Sequence, residues 1–316
     1  MGGADIIPGV SGGTMALIVG IYKNLIAAIG DAFSAVLTLA RGRVGDAMAQ
    51  FRALEWSLLI PVAVGIFVAI GLGSLFVPAL LEAYPVQCRA LFFGLVAASL
   101  VIPWRERREH HGWHVAVAAV AAVVAFVLVG LPRSGDAADP SFFRIAATAA
   151  IAINAMILPG VSGAFLLEVF GLYRPTLEAL RSLDLVYVGT FALGAGIGLG
   201  LAAKALSWLL DRYHDLTMTI LVGLLAGSLR ALWPWVGFVE HVDSDGAVER
   251  VPDPSALLSP STDPALLLGG GGVGWGLALG LALLGFGAVT ALAWVGKRRL
   301  DAADEALAAE HEKVHA

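Results

Sequence analysis

Pro8-Gly9-Val10-Ser11-Gly12-Gly13 lies deep in apolar sequence, and Pro159-Gly160-Val161-Ser162-Gly163-Ala164 repeats it. The register holds beyond the phrase. Gly20-Ile21-Tyr22-Lys23 returns as Gly171-Leu172-Tyr173-Arg174 at the same offset of 151 residues. A duplicated helix breaker in a hydrophobic chain points to a transporter binding site built at the junction of two repeats.

The composition suits that reading. Hydrophobic residues make up 58% of the 316, charged residues 14%, and the mean hydropathy is +0.82. This is an all-α polytopic membrane protein rather than a soluble domain. The net charge of −5 therefore says little about partners, and nothing points to nucleic acid. The single Cys88 excludes an internal disulfide framework, and no cofactor or metal motif is present. No basic n-region of a signal peptide precedes the first phrase. An apolar arm over 141–158 leads into the second phrase, whereas seven residues precede the first. The repeat thus predicts a first arm that begins upstream, with Met1 an internal start.

About twenty apolar residues cross a bilayer core. Full spans are expected at 56–82, 89–104, 113–131, 186–210, 217–236 and 269–296. Segments 1–40 and 142–181 are apolar but interrupted by the Pro-Gly-Ser-Gly break. Forty residues of helix would measure roughly 60 Å, too long for one crossing, so each is read as a hairpin that returns to its starting side. Arg41, Arg43 and Arg52, then Arg105, Arg107 and Arg108, then Lys297, Arg298 and Arg299 mark cytoplasmic segments. The acidic loops 132–141 and 237–268 fall outside, and 297–316 is a cytoplasmic tail.

Further blocks repeat at a second offset of 129: Leu80-Leu81-Glu82-Ala83-Tyr84 with Leu209-Leu210-Asp211-Arg212-Tyr213, and the block from Gly94 with that from Gly223. An insertion in the basic loop near 41–55 explains the drop of 22. Each half, 1–131 and 142–296, is then a broken or re-entrant hairpin plus three transmembrane helices. An odd number of crossings turns the second half upside down, giving an inverted repeat.

Backbone that leaves helical geometry at membrane depth must line a polar cavity or be buried in protein. Proline ends the incoming arm, and Gly9, Gly12, Gly13, Gly160 and Gly163 permit the turn and close approach of a ligand. Ser11 and Ser162 stand where N-caps belong, so the free N–H groups behind them form an anion site. Thr14 adds a hydroxyl in the first copy only. The bland alternative is a kink that packs two arms. Lys23 and Arg174 are matched cations, each placed to collect a phosphate from one leaflet or simply to snorkel. Glu168, and more weakly Asp5, are acidic groups in apolar surroundings and hence candidates for proton or sodium coupling. Pairing of Glu168 with Lys204 or Arg230 is the structural alternative. Gly-Val-Ser-Gly also fits the nucleophile context of intramembrane serine proteases, but that chemistry needs a histidine in another span. All seven histidines fall in loops, tails or span edges, so no enzyme is expected.

The stretch 3–29, above all Ala4-Asp5-Ile6-Ile7-Pro8-Gly9-Val10-Ser11-Gly12-Gly13-Thr14 and Gly20-Ile21-Tyr22, closely resembles the bacterial polyprenyl-phosphate transporter family, long filed as a domain of unknown function. The second phrase and the block from Gly94 to Ser99 agree, while Ala164 and Glu168 depart from the second motif. The resemblance implies a multi-pass inner-membrane protein that returns undecaprenyl phosphate, the carrier lipid of cell-wall synthesis, to the cytoplasmic leaflet. A small-anion carrier or channel using helix N-termini is the rival within transport, and a non-transporting membrane scaffold the rival outside it. A lateral opening to lipid favours the first, a sealed aqueous pore the second, and a dry closed interface at both breaks the third.

Overall fold

The computed structural model describes residues 1–2, 11–109, 111–131, 140–160, 162–242, 248–259, 262–267 and 273–294. The first half contains α1 (Gly12–Ile18), α2 (Tyr22–Ala40), α3 (Val44–Ala53), α4 (Trp56–Ala83), α5 (Pro85–Ser99), α6 (Val101–Glu106) and α7 (Gly112–Val129). The second contains α8 (Phe142–Ile157), α9 (Gly163–Val169), α10 (Tyr173–Arg181), α11 (Leu185–Arg212), α12 (His214–Ser228) and α13 (Trp275–Trp294). Among the described residues seven helical stretches are long and apolar enough to cross a membrane, against the six expected. The addition is α2, which the sequence reads as one arm of a hairpin.

Other boundaries move for local reasons. The span expected over 89–104 runs from Pro85 to Glu106, because Pro85 starts the helix where its missing N–H costs nothing and Arg89 is accommodated inside it. Its hydrogen bonding tightens at Leu100, whose N–H donates to the Ala97 carbonyl at 3.3 Å, beside a Ser99 hydroxyl that donates to the Leu95 carbonyl at 2.8 Å and a Pro103 that supplies no donor. The span expected to end at Val236 stops at Leu232, because Pro234 forces Trp233 into extended geometry (φ −55°, ψ 125°). The last span begins at Trp275, behind a glycine-rich stretch of poor helix formers. Segment 237–268 is more than an exposed loop. Val236–Val242 (β1) and Val248–Leu257 (β2) pair antiparallel, with a bulge at Val236/Gly237. Trp233 and Trp235 anchor this sheet through indole N–H bonds to the Leu258 carbonyl (2.9 Å) and the Val273 carbonyl (3.0 Å).

The repetition seen in sequence recurs in the elements. α4 and α11 both have 28 residues, α5 and α12 both 15, and α1 and α9 both seven. The bends at Tyr84 (φ −136°, ψ 54°) and Tyr213 (φ −131°, ψ 51°) match as well. The 22-residue change in offset is only partly a loop insertion. α2 has 19 residues where α10 has nine, and the rest lies in the connection that contains α3.

Contacts fix the helix directions. The backbone at Gly194 and Gly198 of α11 abuts Ala146 and Ala150 of α8, so the two run parallel, and α9 with α10 must carry the chain back to the side where α8 began. Lys23 meets Asp211, and Gly200 meets Phe33, so α2 runs antiparallel to α11. The matched helices α5 and α12 are antiparallel: Arg89 donates to the Ala231 carbonyl at 2.7 Å, while the ring of His214 lies 3.2 Å from the Glu106 carbonyl at the other end. α5 and α13 run parallel, with Ala90 near Ala278 and Ala98 near Val289. The Arg105–108 end of α6 therefore shares one side with the end of α13. α2 runs away from that side, and α3 packs against α2 before α4 begins. Leu58, Leu59 and Val62 at the start of α4 lie on the same core cluster as Tyr22, Leu25 and Leu210.

Small residues hold the helices together, as expected where lipid removes any hydrophobic drive between them. Gly223 and Gly227 of α12 lie against Ala118, Ala121, Ala122 and Ala125 of α7, and Gly94 of α5 against Ala282 of α13. α4 is different. Phe67, Leu75 and Phe76 are about three-quarters exposed, and Gly65, the counterpart of Gly194, has nothing within 4 Å of where a Cβ would stand. Gly194→Val should destabilise the detergent-solubilised protein by about 1–3 kcal/mol, the usual cost of overpacking, whereas Gly65→Val should leave its thermal midpoint unchanged. Equal responses in thermal unfolding would show that the two positions are packed alike.

Candidate functional site

The site is built by two short helices that begin and end in the same way. Ser11 and Ser162 are extended residues whose hydroxyls accept the backbone N–H of Thr14 and Phe165, each at 3.3 Å. Both act as N-caps, as the motif predicts. Each helix lasts seven residues and then stops. The N–H of Gly20 bonds to the Leu17 carbonyl (3.1 Å) and that of Ile21 to Ala16 (3.0 Å). In the second copy Gly171 bonds to Glu168 (3.0 Å) and Leu172 to Leu167 (2.8 Å). Gly20 (φ 76°) and Gly171 (φ 67°) occupy the left-handed position that closes such a Schellman end. The Gly-Ile-Tyr and Gly-Leu-Tyr phrases are thus helix terminators. Lys23 and Arg174 stand on new helices, not on a continuous arm running from the break, because the left-handed glycines intervene.

The two breaks meet. The last carbonyls of α8 have no partner within their own helix, and the first half supplies donors. Tyr22 donates its hydroxyl to the Ile157 carbonyl (3.2 Å), and Ser11 donates to Leu158 (3.3 Å). The Gly160 N–H donates to the Thr14 hydroxyl oxygen at 3.3 Å. Ser11 and Thr14 are 2% and 0% exposed, so these bonds form away from solvent. A Cβ on Gly13 would collide with the Ile157 carbonyl, and one on Gly160 (φ 87°) would lie 2.8 Å from the Ser228 hydroxyl. A Cβ on Gly163 would stand 2.5 Å from the Ala152 carbonyl oxygen. These three glycines allow backbone to approach backbone. Thr14, expected among the ligand donors, clips one break to the other.

Beside the clip lies a cavity of about 250 Å³ lined by Ser11, Ser162, Ala164, Met156, Leu167 and Phe191, among others. Ser11 and Ser162 provide its side-chain hydroxyls; the rest of the wall is apolar. Gly12 opens α1 and is buried. Lys23 pairs with Asp211 at 2.9 Å, both about half exposed, a partnership the sequence did not suggest. Arg174 and Glu168 are half-buried and engaged. Asp5 and Gly9 lie outside the described residues.

Two residues escaped the sequence reading. Arg144, at the start of α8, donates to the Phe170 carbonyl at the end of α9 at 2.8 Å, a cation on helix-terminal carbonyls. Asn154, one turn before the end of α8, has a buried amide oxygen without a hydrogen-bond partner. Its signal was available: a lone amide in the apolar run of 141–158. Among the described residues no three His, Cys, Asp or Glu side chains converge to hold a metal ion.

The chain matches the undecaprenyl phosphate translocase-like family over residues 1–248. It is 36% identical to a polyprenyl-phosphate transporter of Vibrio cholerae over 263 residues, covering 82% of this chain and 83% of that protein. A polyprenyl-phosphate transporter of Staphylococcus aureus is 27% identical over 252 residues, covering 74% and 83%. No solved structure matches. With most of its length matched, both breaks included, the chain belongs to the undecaprenyl phosphate translocase-like family.

Proposed function

We propose that this protein moves polyprenyl phosphate between the leaflets of the bacterial inner membrane, with the phosphate head crossing where the two breaks meet. One observation carries the reading: Ser11 and Ser162, the caps of two repeated helices from opposite halves, line one cavity. Only the anionic head of such a lipid needs a polar route, and the tail remains in hydrocarbon. The Ser162 hydroxyl and the amides that follow it, with Ser11, Gly12 and Gly163 alongside, meet the phosphate oxygens. No bond in the lipid changes, so the protein acts as a carrier and not an enzyme.

The halves 1–131 and 142–296 act as an inverted repeat that rocks about the clip. The equal helix lengths and the antiparallel course of α5 and α12 support this. Lys23 and Arg174, the latter with Arg144, gather head groups at the two faces, and a phosphate arriving at Lys23 displaces Asp211. Glu168 or Asp5 couples the cycle to protons or sodium. In this proposal the carrier lipid returns to the cytoplasmic leaflet, and Lys297, Arg298 and Arg299 favour a cytoplasmic C-terminus. A non-transporting scaffold needs a dry, closed interface at both breaks, and the cavity beside the clip argues against it.

Vesicles reconstituted with the protein and a labelled polyprenyl phosphate test the reading. Leaflet exchange should exceed that of protein-free vesicles, and Ala164→Trp, from an exposed position on the cavity wall, should abolish it while the protein stays folded. Absence of exchange by the folded wild type would overturn the proposal. Gly163 is unsuited to this test, since any side chain there strikes the Ala152 carbonyl. Thr14→Val should lower stability by about 1–3 kcal/mol through the unpaired Gly160 N–H, read by thermal unfolding. Unchanged stability with lost transport would make Thr14 a ligand instead. With lipid supplied to one leaflet only, Lys23→Ala and Arg174→Ala should slow exchange from opposite sides. Identical side preferences would refute their assignment to different faces.

A further inference from the structure

We infer that the isoprenoid tail lies in an apolar groove between α7 and α12 that comes up to the second break at Leu224; this rests on the translocation reading. The groove holds about 480 Å³ and is walled by Val117, Val120 and Val124 of α7 and by Ile220 and Leu224 of α12, with alanines on its floor. No polar side chain faces it. Its shape follows from the packing beneath. Gly223 and Gly227 let α12 sink against the alanines of α7, so the floor is low. Val120 (65% exposed) and Val124 (48%) then stand up as a ridge.

Continuity with the head-group site selects the occupant. Leu224 belongs to the groove, and its carbonyl oxygen lies 3.1 Å from where a Cβ of Gly160 would stand. The same Leu224 packs on the core cluster that contains Ile157, beside Leu158, whose carbonyl receives the Ser11 hydroxyl. The groove thus reaches the second break through Leu224, one residue from the Leu225 backbone that also abuts Gly160. A tail there exchanges bilayer hydrocarbon for fixed valine and leucine side chains, so what holds it is packing beside the tethered head and not escape from water. The exposed side of α4 is also apolar, but Gly65 there has nothing within 4 Å of a Cβ position, so no neighbouring helix walls it at that point.

The test compares undecaprenyl phosphate with farnesyl phosphate, whose short tail leaves most of the groove empty. Val120→Trp and Val124→Trp start from outward-facing positions and fill the groove. Each should slow exchange of the long lipid about ten-fold, the effect of a steric cost of about 1.4 kcal/mol where the tail would lie, and change farnesyl phosphate less than about two-fold. Unchanged exchange of the long lipid, or equal loss for both lipids, would overturn the inference. A long-chain phosphate with a photoreactive group on its first isoprene unit should label α7 or α12; label confined to α4 would also overturn it. If the wild type moves neither lipid, translocation fails as a reading, and the labelling still decides where the tail binds.

Discussion

Everything at the centre of this molecule depends on one constraint: a helix that ends inside a membrane protein must find donors for its last carbonyls. α8 ends at Ile157, and the chain behind it is broken by proline and glycine. Water cannot serve those carbonyls, and their own helix has no donors left. The hydroxyls of Tyr22 and Ser11 do so from the other half of the chain, and Thr14 receives the Gly160 N–H in return. The two halves are joined through backbone groups that neither could satisfy alone. A cavity with two serine hydroxyls in an otherwise apolar wall can therefore sit beside that joint, where unravelled backbone is already protected.

In the proposed cycle the same joint holds a head group and still moves. Seven-residue helices closed at both ends, by a serine cap and a left-handed glycine, are compact units. Their positions relative to the long helices depend on a few hydroxyl bonds and on close glycine contacts. Such contacts favour discrete arrangements over gradual deformation, which suits alternating exposure to two leaflets. The pairing of Lys23 with Asp211 links the start of α2 to the end of α11, and in the proposed cycle it is the pair a migrating phosphate exchanges with.

The repeated halves are packed unequally. α11 is wedged between α8 and α2 by Gly194, Gly198 and Gly200, while its counterpart α4 shows broad apolar surface. The difference lies in small residues meeting a neighbour in one half and not in the other. Equal lengths and equal bends thus coexist with different surroundings, and that asymmetry sets α7 and α12, whose groove adjoins the break, apart from the rest of the lipid-facing surface.

The family was legible in the sequence because it rests on local chemistry: apolar runs of crossing length, a doubled Pro-Gly-Val-Ser-Gly, and serines that cap whatever helix follows. Those preferences act within one turn, so a linear reading recovers the long helices and both N-caps. It misreads Gly20 and Gly171, because a glycine signals a left-handed end only once the two bonds that close it are known to form. The linear reading therefore runs Lys23 and Arg174 on from the breaks as continuous arms. Thr14 as a clip, Asp211 as the partner of Lys23 and the groove of α7 and α12 were beyond reach for a further reason. Each depends on residues more than ninety positions apart, brought together by glycines whose role is to be absent as side chains, and only the tertiary structure decides which backbones come that close.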